Sequence, residues 1–232
     1  MKLLMMAACS LAIALNTASQ SLLTGAWNFS SGTTEHVYII QDDYLVFSSY
    51  DKINKKFDNT WGGTIKHGNN EFTLHMEFNA RNNDEVGSDV TYKYKLQDAR
   101  LMLASKGSES TLTRIDEGKG DLAGNWRISG RMQGERMNTI NPGPRKTLKI
   151  LSGTRFQWIA INTETKEFFG TGGGTYTFKD GKYTENIEFF SRDSSRVGAT
   201  LVFDGKVENN VWVHSGLNSR GEPLHEEWKR EI

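Results

Sequence analysis

The sequence predicts an all-β protein of two tandem antiparallel meander barrels, each of about eight strands. Three observations predict it: apolar side chains alternate with polar ones in short runs, turn signals separate the runs, and one half of the chain repeats the other. In copy one, Val37-Tyr-Ile-Ile40, Leu45-Val-Phe47 and residues 90–96 read as strands. Phe72, Leu74, Met76 and Phe78 alternate with Thr73, His75 and Glu77, the pattern of a half-buried strand. The runs are broken at Gln41-Asp42-Asp43, 66–70 and Asn82-Asn83-Asp84, and in copy two Lys179-Asp-Gly181 marks a hairpin. No stretch carries a 3.6-residue apolar period.

Residues 57–92 align with 168–203 without a gap at an offset of 111, and eleven of the 36 pairs are identical. Gly62-Gly63-Thr64 matches Gly173-Gly174-Thr175, Glu77-Phe78 matches Glu188-Phe189, and Val86-Gly87 matches Val197-Gly198. Leu23-Thr-Gly25-Ala-Trp27 corresponds to Leu122-Ala-Gly124-Asn-Trp126 at an offset of 99, so copy two carries a 12-residue insertion within 131–144. The copies end at Leu112-Thr-Arg114 and Trp228-Lys-Arg230, giving domains at 22–116 and 120–232.

Residues 1–19 read as a signal peptide: Lys2, an apolar run over 3–15, then Thr17-Ala-Ser19. A run of 13 residues, broken by Ser10, falls short of the roughly 20 a transmembrane helix needs, and no later segment is apolar enough to span a membrane. The chain is therefore expected to be exported, periplasmic or secreted. Met6-Ala-Ala-Cys9 offers lipid anchoring through Cys9 as the alternative. Lys plus Arg equals Asp plus Glu, 28 each, which excludes the basic excess of a nucleic-acid binder.

Gly25-Ala-Trp27 with Arg114, and Gly124-Asn-Trp126 with Arg230, resemble the strand ends of the lipocalin and calycin superfamily. That resemblance implies a Trp that closes each barrel floor beneath a stacked Arg, and a first connection lying at the open end. The 131–144 insertion, with Met132, Met137 and Ile140, would then cover a cavity mouth or be disordered. Lys149-Ile-Leu-Ser-Gly-Thr-Arg-Phe-Gln-Trp158, 168–176 and 183–192 resemble an exported bacterial lipocalin-like family of unknown function. The likeness implies the fold and export but no activity.

Comparison of the copies suggests a site. Phe72, Leu74, Met76 and Phe78 should face the interior of copy one, and their partners are Tyr183, Glu185, Ile187 and Phe189. Leu101 and Leu103 map to Trp212 and His214, and Glu226, Trp228 and Arg230 share a face of the last strand. The interior of copy two thus gains Glu185, His214 and Glu226 among Trp158, Tyr176, Tyr183 and Trp212. Aromatic walls with a few polar groups suit a small amphipathic or hydrophobic ligand; mutual hydrogen bonding among the buried groups is the competing reading. Replacing Glu185 by Leu is expected to stabilise the fold and weaken ligand binding. No catalytic constellation, metal-ligand spacing or cofactor motif emerges: Gly170-Thr-Gly-Gly-Gly174 lacks the Lys of a phosphate loop, and His225-Glu-Glu227 alternates across a strand. An interaction module with filled barrels, meeting a protein or glycan through its loops, and a hydrolase using Glu185, His214 or Glu226 are the alternatives.

Overall fold

A computed structural model describes residues 22–231. The leader expected over 1–19, with Cys9, lies outside the described residues. Strands β1 (Gly25–Ser31), β2 (Thr34–Gln41), β3 (Tyr44–Asp51), β4 (Lys56–His67), β5 (Glu71–Asn79), β6 (Asp89–Gln97), β7 (Arg100–Ser105) and β8 (Ser108–Asp116) form an antiparallel meander, and β8 returns to β1 to close a barrel. The second half runs β9 (Gly124–Gln133), β10 (Arg136–Thr139), β11 (Arg145–Leu151), β12 (Arg155–Asn162), β13 (Glu167–Lys179), β14 (Lys182–Phe190), β15 (Thr200–Glu208), β16 (Val211–Leu217) and β17 (Pro223–Arg230). There β17 pairs with β9, closing an eight-stranded barrel to which β10 adds a short ninth strand. Closure leaves the barrel strands paired on both sides, which removes the exposed edges of an open sheet.

The insertion in copy two is a hairpin rather than a loop or a disordered segment. Strand β9 runs on to Gln133, Gly134 turns the chain in the left-handed region (φ 61), and β10 pairs Met137 with Met132. Ile140 then packs against the interior cluster of the second barrel.

Each barrel has its own apolar interior, and a third cluster lies between them. Ala26, Val37, Ile39, Tyr44, Val46, Tyr50 and Phe78 of the first barrel meet Leu148, Ile150, Ile159, Ile161 and Phe189 of the second. Strand β3 is accordingly buried along its whole length. Leu45 and Phe47 point into the barrel, while Tyr44, Val46 and Tyr50 face its neighbour.

Here the alternation read from the sequence fails at one residue per copy. Phe72, Leu74 and Met76 face the first interior, and Tyr183 and Ile187 face the second, but Phe78 and Phe189 join the cluster between the barrels. A bulge is the cause. The register slips between Gly62 and Gly63 opposite β5, and between Gly173 and Gly174 opposite β14, so the strand's facing inverts beyond it. The glycines make room: a Cβ on Gly62 would lie 3.1 Å from the Phe78 ring, and one on Gly173 would lie 2.7 Å from the Phe189 ring.

The contact between the barrels has an approximate internal twofold. Phe57 stacks near Phe189 with centroids 6.1 Å apart, and the image pair, Phe168 and Phe78, lies 6.5 Å apart. Gln157 donates to Thr60 Oγ1 at 2.8 Å and to its counterpart Thr171 Oγ1 at 3.0 Å. Ion pairs flank the cluster. Lys146 Nζ lies 2.9 Å from Glu77, and Glu188 accepts from Tyr50 Oη at 2.6 Å and pairs with Arg155.

Since this cluster belongs to both barrels, truncating Phe189 to Ala should lower the unfolding free energy by about 3–5 kcal/mol. Urea denaturation followed by tryptophan fluorescence checks it; a loss below about 1 kcal/mol would mean the barrels do not depend on this contact.

Candidate functional site

The two barrel floors are built alike. The Trp27 indole donates to Leu23 O and the Trp126 indole to Leu122 O, each at 2.8 Å. The Arg114 guanidinium lies 3.9 Å from the Trp27 ring centroid, and Arg230 lies 3.9 Å from that of Trp126. Both arginines then donate to backbone carbonyls: Arg114 to Thr24 and Leu22, Arg230 to Ala123. The cation covers an apolar plug while its N–H groups satisfy carbonyls of the segment leading into each barrel's first strand.

Above the second floor the interior is polar. Lys149, Glu185, His214 and Glu226 are all buried. The Lys149 ammonium donates to Glu185 Oε1 at 2.7 Å. It also sits 5.0 Å from the Tyr183 ring, 5.2 Å from Trp212, 5.3 Å from Trp228 and 6.0 Å from Phe203. Many of these rings meet edge to face, as Tyr183 does with Trp212 at 87° and with His214 at 89°. The second barrel thus encloses its own cation in an aromatic cage. His214 Nε2 lies 3.1 Å from Glu226 Oε2, and Arg131, on the inserted hairpin, donates to Glu226 Oε1 from Nε at 2.9 Å.

Burial, and after it the Lys149 ammonium, lower the His214 pKa, so the imidazole is neutral at neutral pH. A carboxylate can only accept, which places the proton on Nε2 and leaves Nδ1 an acceptor with no partner among the described residues. Burial opposes the Glu226 charge, but the His214 hydrogen bond and the Lys149 and Arg131 cations outweigh it and hold the carboxyl at about 2. Burial, then the Glu185 carboxylate, push the Tyr183 phenol far up, so it stays protonated.

Of the residues singled out from sequence, Tyr183, Glu185, Trp212, His214 and Glu226 come together in this cluster. Tyr176 touches it through Tyr183, 5.7 Å away, and spends its hydroxyl on Ser152 O at 2.6 Å. Trp158 makes its ring contact with Phe190 instead, at 5.4 Å. Lys149 and Arg131 were missed. The repeat carried the signal for Lys149, because the offset of 111 sets it against Tyr38, which faces the first interior. The expectation for Glu185→Leu is also corrected: with Lys149 bonded to Glu185, removing the carboxylate alone strands a buried ammonium.

The first barrel differs. Its open end, opposite Trp27, holds a recess of about 400 Å³ walled by Tyr38, Trp61, Met76, Val90, Tyr92 and Leu103 and rimmed by Asn59, Glu85, Lys106 and Ser110. Six rings from six strands stack in sequence around this interior: Phe29 on His36 (4.3 Å, 7°), His36 on Phe47 (6.0 Å, 19°), Phe47 on Trp61 (4.8 Å, 23°), Trp61 on Tyr92 (6.1 Å, 14°) and Tyr92 on Phe72 (5.2 Å, 16°). Burial lowers the His36 pKa, so its ring joins the stack uncharged at neutral pH. The Asn59 side-chain oxygen is buried and has no hydrogen-bond partner among the described residues.

Residues 121–231 match a family described as a domain of unknown function (DUF4488). The match covers the second barrel with its buried charges. No curated protein matches the chain. Among the described residues, no group of three or more His, Cys, Asp and Glu side chains is placed to hold a metal ion, and no helix is long and apolar enough to cross a membrane.

Two outcomes follow for the second barrel. Lys149→Met alone leaves the Glu185 carboxylate buried and unpaired and should cost about 3–5 kcal/mol. The double variant Lys149→Met/Glu185→Leu should recover most of that loss in urea titrations; an additive or worse double variant would refute the pairing. The second outcome concerns acid. His214 and Glu226 both have folded pKa values below their ordinary 6.5 and 4.5, so the unfolded chain takes up protons first. Their stabilisation is complete above pH about 6.5, is eroded below that as the unfolded His214 protonates, and is lost further between pH about 4.5 and 2 for Glu226. The urea midpoint of His214→Gln should therefore fall less steeply than wild type between pH 7 and 5.

Proposed function

We propose that the chain is an exported, lipocalin-like binding protein that holds a small amphipathic or hydrophobic molecule in the mouth of its N-terminal barrel. The observation that carries this reading is the aromatic-walled recess at the open end of that barrel, whose volume of about 400 Å³ falls within the range of small-molecule pockets. Export rests on the leader pattern of residues 1–19.

The sequence alone favoured the C-terminal barrel as the binding half. The geometry supports the N-terminal one better, because the space above the second floor is taken by the barrel's own Lys149 and Glu185. At the matching positions the first barrel has Tyr38, which walls the recess, and Leu74, which is buried in the apolar interior. In this reading the C-terminal barrel is a filled support whose apolar flank holds the binding barrel in shape.

Native mass spectrometry of the full chain purified from its source tests the assignment. A co-purifying small molecule is expected on the wild type and on Lys149→Met/Glu185→Leu, and is expected to be lost from Trp61→Ala. Retention by Trp61→Ala together with loss from the double variant would place the ligand in the C-terminal barrel instead.

A further inference from the structure

Resting on that reading of the N-terminal mouth, we infer that its ligand is a short, flat, ring-bearing molecule with a hydrogen-bond donor on its edge, rather than a flexible acyl chain. Three features converge on this chemistry. The stack presents two of its rings to the recess, Trp61 and Tyr92, with planes tilted by only 14°, and Tyr38 closes the wall edge-on to Trp61 at 77°. A planar ring entering beside Trp61 and Tyr92 continues that pair and gains offset or edge contacts beyond area burial. A saturated chain gains the area alone.

The recess is also shallow. Trp27, Leu101 and Leu112 beneath it are fully buried, so the lower barrel is packed solid and offers no long channel for an extended chain. At the rim, the Asn59 side-chain oxygen lacks a donor, and a buried acceptor left unpaired costs free energy that a ligand O–H or N–H recovers. The second barrel supplies the contrast. There Gly172 stands at the position of Trp61, and the rings gather around the Lys149 ammonium in a mixture of stacked and edge-to-face pairs, as with Tyr183 on Phe203 at 27° and on Trp212 at 87°.

Isothermal titration of the full-length chain with three probes tests this: 2-naphthol, a flat bicycle with one donor; 2-methoxynaphthalene, the same ring system without the donor; and 1-decanol, flexible and of similar size. The expected order is 2-naphthol tightest, 2-methoxynaphthalene about tenfold weaker, 1-decanol weaker still. Trp61→Leu should weaken 2-naphthol at least tenfold while Trp61→Phe, which keeps a ring, restores most of it. Asn59→Leu should erase the difference between the two naphthalenes. Thermal melts establish that each variant is folded. If 1-decanol binds as tightly as 2-naphthol and still depends on Trp61, the ring preference is overturned and the binding mouth stands. If no probe binds and no molecule co-purifies with the wild type, the binding reading itself is overturned.

Discussion

Closure of each barrel by an arginine stacked on a tryptophan is the constraint on which the rest of the molecule depends. Trp27 and Trp126 sit on the first strand of their barrels, Arg114 and Arg230 on the last, and each pair spans the seam where the sheet meets itself. The seam fixes which side chains point inward, because a period-two strand has only two faces. It also fixes which end is sealed. Whatever an interior holds must be reached from the opposite end, through hairpins whose lengths are free to vary.

Within that shared frame the two copies have diverged in content rather than in shape. Where the first barrel has Tyr38 and Leu74 the second has Lys149 and Glu185, two differences that make sense only together, since either charge alone would be buried without a partner. His214 stands where the first barrel has Leu103, and its partner Glu226 is held by Arg131 of the inserted hairpin. One barrel invested its interior in an internal salt bridge and the other kept a wall of neutral rings. The face between them stayed apolar in both, with paired phenylalanines on either side of Gln157.

The fold was legible in the sequence because a repeat, a period and a turn pattern are all local signals. Leu45 and Phe47 on β3, or Phe72 to Met76 on β5, could be assigned to a face from alternation alone. Phe78 and Phe189 could not, because a bulge changes facing without changing composition, and the paired glycines opposite it have several structural uses. The charged cluster was half legible. Glu185 and His214 stood out as departures from apolar counterparts, but Lys149 replaced a tyrosine, which is not apolar enough to make a lysine conspicuous. Its pairing with Glu185 joins strands 36 residues apart in the chain, a relation that no local pattern encodes. The ring stack in the first barrel was hidden for a similar reason: Phe29, His36, Phe47, Trp61, Tyr92 and Phe72 are scattered along the chain and become neighbours only when the sheet curls.

The apolar flank between the barrels also bears on where the wall of the first barrel can give. Strands β2, β3 and part of β5 are clamped from outside by the second barrel, so that side of the wall cannot breathe without uncovering Val46, Tyr50 and Phe78. The remaining compliance lies on the far side, in β6, β7 and β8, whose outward faces are solvated. The N-terminal barrel thus has one wall clamped by its neighbour and one wall facing solvent. Tandem duplication gave the chain more than a second barrel: it gave the first one a backing plate.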